Sequence, residues 1–74
     1  MMTKIRLTDI SPDGVRIIID WDKFISSSSI FIPCINTAKA IKEVREVAKL
    51  SPDEVRTHIR IENGKYGVRI WRTV

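Results

Sequence analysis

The strongest candidates for chemistry in this 74-residue chain are the basic and aromatic side chains near its C-terminus. Residues 55–74 contain five basic residues and one acidic residue, Glu62, whereas residues 1–54 contain eight of each sign. The formal net charge of +4 therefore lies wholly in residues 55–74. A charge imbalance confined to one segment is typical of a surface that meets an anion.

Two flat rings, those of His58 and Trp71, lie among these basic residues in the sequence. Arginine presents a planar fork to phosphate oxygens, and aromatic rings offer surfaces on which bases stack. A two-stranded ribbon also fits the major groove of DNA, which favours DNA over RNA. We predict a nucleic-acid-binding cluster made of Arg56, His58, Arg60, Lys65, Arg69, Trp71 and Arg72. The alternative is a solvated face whose arginines pair with acids elsewhere in the fold.

Catalysis is not expected. The one cysteine, Cys34, and the one histidine, His58, form the only conceivable pair of nucleophile and base. Nothing in their spacing brings them together, and the apolar surroundings of Cys34 are typical of an inert buried thiol. A single cysteine also excludes an internal disulfide and a cysteine-based zinc site. We therefore expect no enzyme activity, no cofactor and no metal.

Two further polar groups favour structural roles over ligand binding. Asp20 and Asp22 lie two residues apart, so a strand would place both carboxylates on one face, where Arg6 and Lys4 are the expected partners. The serine run at residues 26–29 lacks the glycines and the Gly-Lys-Ser/Thr sequence of a nucleotide-binding loop. We predict an ion-paired strand and a surface loop over residues 22–29.

The C-terminal cluster requires a hairpin to position it. Apolar and β-branched residues alternate with charged ones over residues 55–62, and Asn63-Gly64 is a strong signal for a two-residue turn. Counting outward from that turn pairs Glu62 with Lys65 and Arg56 with Trp71. One face then carries Thr57, Ile59, Ile61, Tyr66, Val68 and Ile70, and the other carries Arg56, His58, Arg60, Gly67, Arg69 and Trp71. Arg72 falls beside Val55 on the first of these faces.

A different structure for the same segment stays open. Ser51-Pro52-Asp53-Glu54 is a capping box with proline at the first helical position, which would make residues 52–61 a helix. Residues 39–50 and 52–61 would then form a helix-turn-helix, and the Asn63-Gly64 hairpin would be a wing. The β-branched residues favour the strand, and both alternatives place Arg56 and Arg60 on a candidate nucleic-acid surface.

An N-terminal hairpin is predicted around Ser11-Pro12-Asp13-Gly14, between strands at 3–10 and 15–21. A three-residue loop would pair Ser11 with Val15. The resulting register places Asp9 opposite Ile17, Leu7 opposite Ile19 and Ile5 opposite Trp21, with Arg6 opposite Asp20 and Lys4 opposite Asp22. Trp21 would then belong to the apolar face.

A short third strand and one helix complete the prediction. Residues 30–33 are apolar and extended, and Asn36 or Thr37 begins a helix whose stripe is Ala40, Ile41, Val44, Val47 and Ala48. The small residues of this stripe favour close packing against a sheet. The fold class is α+β: residues 1–74 form a single domain, in which an antiparallel sheet carries one helix on one face.

The N-terminal ten residues show no secretory signal, and no apolar run approaches the roughly 20 residues that span a membrane. We expect a soluble, cytoplasmic protein that does not bind a membrane. An exposed strand edge in so small a sheet leaves a homodimer open.

Three stretches resemble short uncharacterised proteins encoded by tailed phages: Trp21-Asp22-Lys23-Phe24, residues 28–37 and residues 61–72. Their pattern is W-D-x-F, then F-I-P-C-I-N-T, then E-N-G-x-x-G-V-R-I-W-R. The resemblance implies a phage accessory protein that acts in the host cytoplasm and either binds DNA or binds and modulates a host protein. It also implies a hairpin over residues 55–72, and it transfers no functional residue.

Overall fold

The computed structural model describes residues 9–74 and has the expected α+β fold. Strand β1 (Ser29–Pro33) is followed by helix α1 (Thr37–Ala48), strand β2 (Val55–Glu62) and strand β3 (Lys65–Arg72). The three strands form an antiparallel sheet in the order β1-β3-β2, so the last strand of the chain is the central one. Two short 3-10 helices, Trp21–Lys23 and Pro52–Glu54, precede β1 and β2.

The predicted C-terminal hairpin is confirmed throughout its length. Glu62 pairs with Lys65 and Arg56 with Trp71, in the register counted from the sequence. Asn63 and Gly64 have φ values of 52° and 76°, as a tight turn between twisted strands requires. The helix-turn-helix alternative is wrong. Its capping signal is real, because the Ser51 N–H donates to the Glu54 carboxylate at 2.8 Å, but it begins only the 3-10 turn Pro52–Glu54.

The predicted third strand and helix are also confirmed. The Asn36 side chain caps α1 by accepting a hydrogen bond from the Lys39 N–H at 3.1 Å. Ala40 and Val44 of the predicted stripe are fully buried, while the other three members are half-buried. Ala40 and Val44 belong to a core against which Ile41 and Ala48 also pack, and which further contains Ile10, Phe24, Ile32, Cys34, Leu50, Val55, Val68 and Ile70. Leu50 was not among the predicted stripe residues, and it reaches the core after α1 has ended at Ala48.

The N-terminal hairpin differs from the prediction by one residue of register. Ile10 and Ile17 form a single antiparallel bridge, in which each N–H donates to the other's carbonyl at 3.2 and 2.7 Å. The prediction placed Asp9 opposite Ile17. The observed register buries the Ile10 side chain, whereas Asp9 pairs with Arg16 at 3.3 Å. Burial of an isoleucine outweighs the preference for a shorter loop.

A contact made by the turn explains the longer loop. The Asp13 carboxylate accepts hydrogen bonds from the N–H groups of Ile35 and Asn36 at 2.7 and 2.8 Å. The turn is therefore held against the segment that leads into α1. These bonds also lower the pKa of Asp13, because backbone N–H groups stabilise its charged form, Asn36 more than Ile35.

Two other N-terminal predictions need correction. The second predicted strand is not formed: over residues 15–21 only Ile17 pairs, through the single bridge to Ile10, and this bridge lies outside the three-stranded sheet. Trp21 instead begins the 3-10 helix and packs edge-on against Phe24, with ring centroids 6.2 Å apart. Trp21 does pack against the core, although it is only half-buried. The predicted partners of the second strand at Ile5, Leu7, Arg6 and Lys4 lie outside the described residues.

The serine run is not wholly a loop. Ser29 is the first residue of β1, and the carbonyl of Ser28 accepts a hydrogen bond from the Arg72 N–H at 2.9 Å. The Ser27 N–H in turn donates to the Arg72 carbonyl at 2.8 Å. These hydrogen bonds to the central strand hold the segment in place, and the local sequence does not predict them.

Gly67 of the central strand β3 lies against the backbone of β1, where it pairs with Pro33. A Cβ atom at this position would overlap the carbonyl oxygen of Ile32 and would lie 2.8 Å from the Cα of Pro33. Both are backbone atoms, which cannot move aside as the end of a flexible side chain can. The pairing of Pro33 with Gly67 therefore requires glycine.

We predict that Gly67→Ala lowers the free energy of unfolding by about 1–3 kcal/mol, the usual cost of forcing extra volume into a packed region. Urea denaturation followed by circular dichroism measures the change. Lys65→Ala is the matched control, because Lys65 is an exposed residue on the same strand and face. Equal stability of the two variants would contradict the steric argument.

Candidate functional site

Most of the predicted cluster lies on the face of the sheet that points away from α1, here called the open face. Side chains alternate between the two faces of a strand, and the confirmed register brings six of the seven predicted residues to this one. Phe31 of β1 joins them, because it pairs with Arg69. The open face thus carries Phe31, Arg56, His58, Arg60, Glu62, Lys65, Arg69 and Trp71.

The Glu62 carboxylate pairs with two arginines of this face, Arg69 and Arg60. Arg69 donates from Nε and Nη2 to the two carboxylate oxygens of Glu62, each at 2.7 Å. Its Nη1 donates to Ser29 Oγ at 2.7 Å, and its guanidinium lies 5.8 Å from the centre of the Phe31 ring. Arg60 contacts the same carboxylate at 3.4 Å. A two-bond arginine–carboxylate fork is among the stronger polar contacts in proteins.

These contacts divide the arginines into two groups. All three guanidinium nitrogens of Arg69 donate hydrogen bonds, and only 26% of its side chain is exposed, so Arg69 stabilises the open face. Arg60 keeps 48% of its side chain exposed, and Arg56 and Lys65 are exposed as well. Those three cations remain accessible to a ligand.

The sequence analysis pairs Glu62 with Lys65 across the turn and does not predict its contacts with Arg69 and Arg60. Glu62 is the single acidic residue in a segment with five basic ones, and the alternation places it on their face. That combination was the available signal. Arg69 lies seven residues from Glu62 along the chain, so the two side chains meet only when the hairpin has formed.

His58 and Trp71 lie side by side at the other end of the open face. Their ring centroids are 6.4 Å apart and their planes are inclined at 58°. His58 is exposed, whereas Trp71 is half-buried. Both rings line an open groove of about 690 Å³, whose other lining residues are Ser27, Arg56, Thr57, Arg72 and Thr73.

Arg72 does not belong to the open face. As the register predicted, it lies opposite Val55. Its Nη1 donates to the Phe24 carbonyl at 2.6 Å and its Nε to the Val74 carbonyl at 2.9 Å. The guanidinium also lies 5.9 Å from the centre of the Phe24 ring. These contacts fasten the segment before β1 and the C-terminal residues to the end of the central strand.

The conceivable catalytic pair is not brought together. Cys34 is buried in the core, where desolvation raises the pKa of its thiol, whereas His58 is exposed on the open face. Among residues 9–74 no three histidine, cysteine or carboxylate side chains cluster in a way that would hold a metal ion. Asp20 lies 4.0 Å from Lys23 in an exposed ion pair. Within the same residues no helix is long and apolar enough to cross a membrane.

Comparison with known proteins adds no assignment: the chain matches no protein-family model, no curated protein and no solved structure. The geometry and charge of the open face are therefore the basis on which a ligand can be proposed.

We predict that stability falls on acidification partly through Glu62. Hydrogen bonds from Arg69 lower the pKa of this carboxyl below its ordinary value of 4.5. The unfolded chain consequently binds a proton at a higher pH than the folded chain does. The stabilisation is complete above pH 4.5 and is lost as the pH falls through the folded-state pKa.

Urea denaturation of the native chain and of Glu62→Gln at pH 7 and at pH 3 measures this contribution. The stability difference between the two proteins should be largest at pH 7 and should shrink at pH 3. Asp22→Asn is the matched control, because Asp22 is an exposed carboxylate that lies outside the sheet. A difference that does not change with pH would contradict the assignment to Glu62.

Proposed function

We propose that the protein binds nucleic acid through the open face, with DNA favoured over RNA. The observation that carries the proposal is the placement of accessible cations beside a tilted pair of rings on one flat surface. Resemblance to short phage proteins supports an accessory role in the host cytoplasm. The proposal includes no catalytic step and no cofactor.

Electrostatics supports a polyanionic ligand. The open face carries four positive side chains and one negative one, and Glu62 is already engaged by Arg69 and Arg60. Arg56, Arg60 and Lys65 follow the edge strand and the turn, so they form a line along one side of the face. A line of accessible cations suits a phosphate backbone, and binding of this kind weakens as salt is added.

The shape of the sheet favours single strands over a duplex groove. A two-stranded ribbon fits the DNA major groove, but here β1 flanks the central strand and makes the surface three strands wide. His58 and Trp71 instead offer ring faces beside an open groove, as stacking of unpaired bases requires. We therefore propose single-stranded DNA as the ligand, with Trp71 as the stacking residue.

A protein-interaction module that modulates a host protein is the second candidate. Trp71 favours it, because a half-buried tryptophan surrounded by arginines is also typical of the centre of a protein interface. The two functions differ in their response to salt and to nuclease. A protein complex should survive nuclease treatment and moderate salt, whereas phosphate contacts should not.

We predict that Arg56→Ala combined with Arg60→Ala weakens binding to single-stranded DNA and flattens its salt dependence. Each lost phosphate contact should lower the slope of log K against log salt concentration by about 0.7. Fluorescence anisotropy with a labelled oligonucleotide over a salt titration measures both quantities. The matched control is Lys39→Ala with Lys42→Ala, which removes the same charge from exposed positions on α1. Equal effects of the two double variants would show that only net charge matters.

We predict that Trp71→Ala weakens single-stranded DNA binding by about 1–3 kcal/mol, the usual value for one stacked base. Binding to duplex DNA should change less, because paired bases do not stack on the ring. Trp71→Phe keeps a ring at this position and should retain most of the affinity. Thermal melting checks that both variants fold, and equal losses for single-stranded and duplex DNA would overturn the stacking role.

A further inference from the structure

Strand β2 forms an open edge of the sheet. Its even-numbered residues form the hydrogen-bonded pairs with β3, a pattern continued by the Thr73 N–H, which donates to the Glu54 carbonyl at 3.0 Å. The backbone groups of Thr57, Ile59 and Ile61 therefore point away from the sheet. Within residues 9–74, no hydrogen bond to these groups closes the edge. An unpaired edge of this kind is a template for another strand.

The same edge exposes an apolar patch on the face opposite to the open face. Ile59 is 54% exposed, Ile61 71% and Tyr66 44%. Val68 and Ile70 of the central strand are fully buried in the core that also contains Ala40 and Val44 of α1, whereas these three residues stay exposed. Ile59 and Ile61 carry both exposed side chains and free backbone groups. An added strand would therefore bond to their backbone and place its own side chains beside theirs.

We propose that a second copy of this chain occupies the edge, with the two β2 strands antiparallel and Ile59 facing Ile59 across a two-fold axis. Because the outward backbone groups belong to odd-numbered residues, only registers in which odd-numbered residues face each other allow the two strands to hydrogen-bond. In the proposed register Thr57 faces Ile61 of the partner subunit, and two sheets join into one of six strands.

Charge complementarity selects this register over its neighbours. It places Arg56 opposite the partner's Glu62 at both ends of the pairing, and His58 opposite the partner's Arg60. A shift of the two-fold axis to His58 would place Arg56 against the partner's Arg60. A shift to Arg60 would place two arginines face to face. Like charges directly opposite each other destabilise a strand pair, and opposite charges stabilise it.

The two-fold axis runs through the sheet, so the open faces of both copies point the same way. The cations of each β2 strand would lie next to those of the other, and one continuous basic surface would result. Dimerisation itself does not rest on the proposed function, since the edge and its charges exist without a ligand.

Sedimentation equilibrium of the full chain in physiological salt, without nucleic acid, tests the dimer. We expect a concentration-dependent dimer and a dissociation constant raised roughly tenfold or more by Ile59→Lys, which sets two ammonium groups against each other at the axis. Ile35→Lys is the matched control, because Ile35 is 76% exposed and lies outside β2. A native chain that stays monomeric at all concentrations would overturn the proposal and leave the edge to a strand of another protein.

Cysteine cross-linking tests the register. Facing residues of a hydrogen-bonded antiparallel pair have Cα atoms about 5.5 Å apart, within the range of a disulfide. Ile59→Cys should therefore oxidise to a linked dimer far faster than Thr57→Cys, whose two copies would lie about 13 Å apart along the strands. Faster cross-linking through Thr57→Cys or His58→Cys would overturn this register. The buried native Cys34 serves as the unreactive background.

Discussion

The close approach of the β1 backbone to Gly67 is the constraint on which the sheet depends. Strand β3 is central, and both other strands pair with it, so its register decides which side chains share a face. Gly67 lies opposite Pro33 on one side and Arg60 on the other. Because no side chain stands at that position, β1 can pack against the central strand while the Asn63-Gly64 turn sets the register of β2. The open face and the buried face both follow from these two pairings.

The positive charge of the C-terminal segment serves two purposes once the sheet has formed. Arg69 and Arg72 hold the structure together, the first through Glu62 and Ser29 and the second through the backbone carbonyls of Phe24 and Val74. Arg56, Arg60 and Lys65 stay accessible. Among residues 9–74 the buried core contains ten side chains, and in so small a core arginines that hold loops in place supply order that a larger core would otherwise provide. The proposed ligand-binding surface is therefore built beside a structural ion pair.

The proposed ligand-binding surface and the proposed dimer edge use different parts of strand β2. Side chains of even-numbered residues in β2 form the open face, whereas the backbone of odd-numbered residues forms the free edge. A strand can present a ligand surface and a pairing edge together because its side chains and its hydrogen-bonding groups point in perpendicular directions. Edge pairing would enlarge the basic surface without covering it. The apolar residues Ile59 and Ile61, which a lone sheet leaves in water, would gain a neighbour in the same step.

Local signals in the sequence determined the C-terminal hairpin, its register, the third strand and α1, because an Asn-Gly turn, a strict alternation and an asparagine cap act over a few residues. The alternation alone also separated Arg72 from the other arginines. Contacts between distant segments decided the rest. The Ser51–Glu54 capping box produced only a 3-10 turn because the residues after it pair with β3. The N-terminal turn shifted by one residue because Asp13 binds the start of α1 and Ile10 enters the core. The fork between Glu62 and Arg69 forms only once the hairpin has closed, because it joins side chains on two different strands. The local sequence pattern does not predict such a contact.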